Sequence, residues 1–100
     1  MAHYSVISAT PTSEDWIPGY IAAVGPLVIK HGGKYLARTA SHEQLEGDAQ
    51  APALWVLLEW PSKEAESAFH NDPEYAPHLA ARQGGCKSLW VSVAAQDDFA

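Results

Sequence analysis

Arg38 is the side chain best suited by type and setting to grip a reacting group. It is a charged residue inside a strand-like run, between Leu36 and Ala40. A guanidinium held there could clamp a carboxylate or an enolate through two hydrogen bonds; it could equally form a structural ion pair with Glu46 or Glu59. Glu59 sits between Leu58 and Trp60. Burial would suit such a carboxyl to proton transfer, and would be equally tolerable if it pairs with Arg38 or Arg82. Tyr75, His78 and Arg82 follow one another at spacings of three and four, which puts them on one side of a helix. That side suits a pocket lid or a dimer contact, with His78 as the histidine placed to act as a base. Tyr20, beside the apolar face of an earlier helix, offers a hydroxyl as an acid or orienting group, or else fills core with its oxygen at the edge. The candidate catalytic residues are therefore Arg38, Glu59 and His78, and the candidate ligand-binding residues Tyr20, Arg38, Tyr75, His78 and Arg82.

Other chemistries find little support. His3, His31, His42 and His70 are dispersed, no pair has the spacing of a helical zinc site, and Cys-x-x-Cys is absent, so neither a metal nor a cofactor is expected. His31 suits a dipole partner for the carbonyls at a helix end. Gly32-Gly33 follows a helix instead of opening one, which makes it a stop and not a phosphate loop. Cys86 has only Lys87 as a basic neighbour, and the Gly-x-Ser-x-Gly nucleophile signature is missing.

One hundred residues make a single domain with a thin core, spanning 1–100 with an ordered part from about 3 to 95. The chain is 47% hydrophobic and 18% charged, against about 25% charged in an average domain. Its net charge is −6, and Lys30, Lys34, Arg38, Lys63, Arg82 and Lys87 are scattered. No basic stripe exists, so neither nucleic acid nor an anionic membrane is an expected partner. A lone cysteine rules out an internal disulfide and fits a reducing, cytoplasmic setting. Met1 to Thr10 lacks the pattern of a secretory signal, and no run is long and apolar enough to span a membrane.

The elements that must position the candidates are short. His3 to Ala9 reads as a strand ended by Pro11. A helix follows, with Asp15 as N-cap, Pro18 at the third helical position, and Ile17, Ile21, Val24 and Val28 on one face. Gly25-Pro26 should kink it and Gly32-Gly33 end it. Strands are expected over Lys34 to Ser41 and Ala53 to Trp60. Ser62 caps a helix through His70. Asp72 then caps another, with Pro73 at its first position, Pro77 awkwardly inside, and Gly84-Gly85 as its stop. Lys87 to Ala94 is the last strand. The order β-α-β-β-α-α-β is the split βαβ, ferredoxin-like arrangement, an α+β fold with an antiparallel sheet and helices on one side.

Alternation along the strands then raises a difficulty. Leu54, Val56, Leu58 and Trp60 share one face of their strand, and Trp55, Leu57 and Glu59 the other; Leu89, Val91 and Val93 oppose Ser88, Trp90 and Ser92. Trp55, Leu57 and Trp90 are expected on the face that the helices do not cover. A half-wet antiparallel sheet should alternate cleanly between apolar and polar, and this one does not. The expected cover is the same face of a second copy, giving a homodimer; the alternative is the 42–52 loop folded across it.

These motifs resemble the DUF1330 proteins, uncharacterised and mostly bacterial domains of the dimeric α+β barrel superfamily. The matching residues are Tyr20; Gly32-Gly33-Lys34-Tyr35-Leu36-Ala37-Arg38; Leu45-Glu46-Gly47-Asp48; Glu59-Trp60-Pro61-Ser62; Ala65; Pro73-Glu74-Tyr75; and Arg82. The chain departs from the pattern at Pro18-Gly19, at Pro77, at Trp60 where Phe is commoner, and at Gly84-Gly85-Cys86. The resemblance implies a small-molecule pocket between the sheet and the helices of each protomer. Relatives in the superfamily include cofactor-free monooxygenases, heme-degrading enzymes and polyketide cyclases. Three functions stay open: cofactor-independent acid/base or oxygenation chemistry on an enolisable or aromatic substrate; a non-catalytic metabolite-binding, stress or accessory module; or a purely structural dimer.

Overall fold

The computed structural model describes residues 2–100; Met1, the first residue of the segment considered above for a secretory signal, lies outside them. The elements are β1 (His3–Pro11), α1 (Ile17–Lys30), β2 (Lys34–Thr39), β3 (Leu54–Trp60), α2 (Lys63–His70), α3 (Ala76–Gly85) and β4 (Cys86–Ala94). They build one antiparallel sheet in the order β2-β3-β1-β4, the ferredoxin-like α+β arrangement. β1 and β3 hold the centre of the sheet. The molecule is only 18 Å across its shortest axis, the depth of one sheet plus one layer of helices.

Register decides what each strand offers to each layer. Ile7 pairs with Val56 on one side and with Trp90 on the other, while Ser5 pairs with Leu58 and Ser92. These residues share the helix-covered face with Trp60. Trp60, Phe69 and Tyr75 are fully buried there, with ring centroids 5.2 Å apart from Trp60 to Phe69 and 4.4 Å from Phe69 to Tyr75. Val24, Leu27 and Val28 of α1 close over them. Gly33 lets Trp60 and Val28 meet the chain after α1: a Cβ at that position would sit 2.7 Å from both side chains. Gly32, at φ +79°, makes the left-handed turn that stops α1.

The same register corrects the placement of Trp90. It faces the helices, because Ile7 opposite it does. Its indole lies 6.1 Å from the Phe69 ring and donates to the Glu66 carboxylate at 3.2 Å. The open face carries Leu89, Val91 and Val93 in its place, beside Val6 and Leu57. A strand of alternating aliphatics and serines does not declare which set is inside. Here the indole has a buried acceptor, and the two serines flanking it have buried or charged partners.

Two helix starts also shift. α1 has Trp16 at its N-cap and Pro18 at the second helical position, then runs on through Pro26. Asp72 caps a turn of its own by accepting from the Glu74 N–H at 2.9 Å, and α3 begins at Ala76 with Pro77 in its first turn. Pro77 is thereby removed from the helix interior, where its missing N–H would break a bond. α3 continues through Gly84-Gly85 and turns directly into β4 at Cys86.

Asp72 also ties the end of α1 to this turn. His31 Nε2 reaches its carboxylate at 2.8 Å and Lys30 Nζ at 3.1 Å. The His31 hydrogen bond, helped by the Glu74 N–H and Lys30, holds the Asp72 carboxyl down to about 2. A carboxyl depressed on folding stabilises the protein fully above its unfolded value, near about 4, and that contribution is lost as pH falls through the folded value. Asp72→Asn should therefore flatten the acid limb of stability, followed by urea unfolding at pH values between about 2 and 5. An acid limb identical to that of the unsubstituted protein would refute this linkage.

Candidate functional site

A cavity of about 290 Å³ opens between α1 and the helix-covered face of the sheet. Its walls are the residues that the two periodicities turn toward each other: Ile7, Val56 and Leu58 from the strands, Val24 and Val28 from α1, and Phe69 from α2. Helical spacing brings Tyr20, Val24 and Val28 onto one side of α1. The lining side chains that carry polar groups are Tyr20, Tyr35, Arg38 and Arg82, together with the indoles of Trp16 and Trp90.

Arg82 is the unusual member. It is only 7% exposed. One end-nitrogen, Nη1, donates to Ser88 Oγ, and Nε has no hydrogen-bond partner. Its neighbours are phenols: the Tyr20 and Tyr75 hydroxyls lie 2.8 Å apart and both interact with its charge. Burial disfavours that charge, but the two tyrosine oxygens outweigh it and push the Arg82 pKa above its usual value. Burial, with Tyr75 alongside, pushes the Tyr20 hydroxyl well above the usual phenol range, and Arg82 offsets only part of this. Burial likewise raises Tyr35. At neutral pH the Tyr20 and Tyr35 hydroxyls are therefore donors, not bases.

Arg38 stands at the mouth. It is exposed, and its guanidinium carbon lies 4.3 Å from the centre of the Tyr35 ring. Neither Glu46 nor Glu59 forms an ion pair with it; the ion pairs found among the described residues join Lys30 or His31 to Asp72 or Glu74. Trp16 forms another part of the rim. Its indole donates to the carbonyls of Ser13 at 2.8 Å and Gly85 at 3.0 Å. The Thr12 and Ser13 N–H groups converge on that same Gly85 oxygen. A Cβ at Gly85 would lie 2.4 Å from the indole, so the glycine is what lets Trp16 sit there.

The structure thus brings Tyr20, Arg38 and Arg82 to one cavity, with Tyr75 directly behind Tyr20. Two candidates are elsewhere. Glu59 pairs with Tyr4 and Lys34 across the strands and points to the open face, one residue out of phase with Leu58 and Trp60. His78 is half-buried on the flank of α3 and does not line the cavity. The histidine nearer the site is His70, 5.3 Å from the Trp90 ring and 5.9 Å from that of Tyr75. Burial, then Arg82, lowers its pKa, with Glu66 opposing.

Glu66 is a buried carboxylate that residue-type reasoning passed over. It accepts from Ser5 Oγ, from Ser92 Oγ at 2.5 Å and from Trp90 Nε1 at 3.2 Å. Burial alone would push its pKa up; the three donors outweigh burial and hold it below the usual value. Among the described residues, no three His, Cys, Asp or Glu side chains cluster as metal ligands would, and no helix is long and apolar enough to cross a membrane.

The family described as "Domain of unknown function (DUF1330)" matches residues 2–95. No curated protein matches the sequence. Among solved structures, the RPA0582 protein of unknown function from Rhodopseudomonas palustris is 17% identical, with a TM-score of 0.79 over 96% of this chain and 83% of that one. A dimeric ferredoxin-like protein of unknown function from Jannaschia sp. CCS1 is 16% identical, with a TM-score of 0.74 over 94% of this chain and 99% of that one. SnoaB, a cofactor-independent oxygenase from Streptomyces nogalater, is 15% identical, with a TM-score of 0.65 over 98% of this chain and 96% of that one. At these identities the likeness is one of fold.

Proposed function

The chain belongs to the DUF1330 family, and from that premise we propose that it is a small-molecule-binding domain acting as a homodimer, with one ligand in the cavity of each copy. The observation that carries the reading is the cavity itself: apolar walls, a few lining side chains that bear hydrogen-bond donors, and a volume of about 290 Å³. That size lies at the lower end of known ligand sites and suits a molecule of one or two rings. The carboxylate and histidine first considered as bases, Glu59 and His78, lie outside it. Binding is therefore favoured over acid/base catalysis by this pocket.

The dimer rests on the uncovered sheet face. Leu89, Val91 and Val93 are 60%, 42% and 39% exposed on it, and Val6, Leu57 and Trp55 lie on the same side. Contiguous apolar surface of this kind marks an interface. The 40–53 loop does not seal it: its residues through Ala51 are exposed, Leu45 by 82%. A second copy supplies a matching face by symmetry, and the Jannaschia protein of the same fold is described as dimeric.

A catalytic variant of the reading draws on SnoaB, whose oxygenase activity needs no cofactor. Side chains that bear hydrogen-bond donors at the wall of an apolar cavity are what an ionised substrate would need there. Binding comes first and is tested directly. In a titration with one- and two-ring aromatic compounds followed by NMR, the indole N–H signals of Trp16 and Trp90 should shift and saturate while that of Trp55, on the open face, stays fixed. Shifts confined to Trp55, or no saturable shift with any compound, would remove the cavity from consideration.

A further inference from the structure

We infer that the cavity selects an organic anion, an apolar aromatic carboxylate seated with its charged end on Arg82. The inference rests on the small-molecule reading above and names the ligand class for that same site. Arg82 is more than nine-tenths buried as a residue, and a charge so placed is ordinarily paired. Among the described residues no Asp or Glu lies within ion-pairing distance of it. The nearby buried carboxylate, Glu66, is already engaged by Ser5, Ser92 and Trp90. Arg82 instead donates to the neutral Ser88 hydroxyl, with the mutually bonded Tyr20 and Tyr75 hydroxyls nearby, and its buried Nε has no acceptor.

The charge distribution points the same way. The chain has twelve acidic residues and only six Lys and Arg. Yet two of those six cations line this cavity, and no acid does. Arg38 stands at the rim, unpaired with any carboxylate, where it would draw an anion inward. Arg82 is the buried cation among the lining residues, and a carboxylate in the cavity would meet its guanidinium there. The aromatic body of the ligand would lie against Phe69, Trp90 and Tyr20. Arg82 also borders a second, polar groove that includes His70, Lys87 and Ser88.

The test compares 2-naphthoate with the neutral isostere 2-naphthamide by calorimetry at pH 7, with the Trp16 and Trp90 indole signals as the readout of location. The acid should bind tighter by about 10- to 100-fold. Arg82→Gln should remove that preference while amide binding persists, and Tyr20→Phe should reduce it. Equal affinity for acid and amide in the unsubstituted protein overturns the inference and leaves the cavity reading standing. So does an acid preference that survives Arg82→Gln. Failure of both compounds to move either indole overturns the cavity reading along with it. If Arg82→Gln does not fold, the acid/amide ratio in the unsubstituted protein and its change in Tyr20→Phe still decide.

Discussion

If two copies pair through the open sheet face, Val91→Asp should leave a folded monomer. Val91 sits near the middle of β4, directly opposite Val6 on β1, with Leu57 of β3 next across the sheet. Its side chain lies on the face away from α1, α2 and α3, so the substitution removes nothing from the protomer's own core. In a two-fold interface each substitution occurs twice, and the two carboxylates would enter the same apolar contact. Burying an unpaired carboxylate there is unfavourable by several kcal/mol. A loss of about 4 kcal/mol weakens dimerisation on the order of 1000-fold. Sedimentation at micromolar concentration should show the shift from dimer to monomer, while circular dichroism and the indole signals of Trp16 and Trp90 stay native. A dimer that survives this change unaltered would place the interface elsewhere; an unsubstituted protein that is already monomeric would remove it.

The open face also shows where the sequence is legible and where it is not. Alternation in β3 assigns its two faces unambiguously, because Leu54, Val56, Leu58 and Trp60 form an unbroken apolar set. In β4 both sets contain apolar groups. The aliphatic trio is the more hydrophobic, and hydrophobicity alone sends it inward. The structure reverses this because Trp90, Ser92 and Ser5 are bound to one carboxylate, and the identity of that partner is written in another element. The expectation of a second apolar face survives with its residues exchanged: Leu89, Val91 and Val93 take the place of Trp90.

The same limit governs the site. Arg38 was readable as a cation in a strand, and Tyr20, Tyr75 and Arg82 as residues near core faces. For Glu59 an apolar flank on each side says nothing about direction, whereas strand parity already points it opposite to Leu58, away from the cavity. For His78, sharing a helical side with Tyr75 and Arg82 is a weaker condition than sharing a contact. Residues seven apart nearly superpose after two turns, whereas His78 is rotated toward the flank. The signals for Glu66 were present: it is three residues before Phe69 on an amphipathic helix, and serines interrupt the apolar runs of β1 and β4. They acquire meaning only together, once the register brings Ser5, Ser92 and Trp90 to one place.

Glu66→Ala should then be among the most damaging polar substitutions in the chain. Removing the carboxylate strips the acceptor from Trp90 Nε1, Ser5 Oγ and Ser92 Oγ at once, and Ser5 is fully buried. Each buried donor left without a partner costs about 1–3 kcal/mol, so a loss on the order of 3 kcal/mol or more is expected. For a domain of this size that lowers Tm by roughly 12–24 °C. The exposed neighbour Glu64 is the control, since Glu64→Ala removes a charge from the same helix turn without touching the network. Sign matters for the pH dependence. Because the Glu66 carboxyl is held below its usual value in the folded protein, its contribution is complete above the unfolded value, near about 4.3, and is lost as pH falls below it. Glu66→Gln preserves the shape but cannot ionise, and its acid limb should be correspondingly flatter. The Trp90 indole, held by Glu66 on one side and forming the cavity wall on the other, should broaden in both variants. If Glu66→Ala melts within a degree or two of Glu64→Ala, the buried carboxylate is not what fixes Trp90, and the cavity wall owes its position to Phe69 and Arg82 instead.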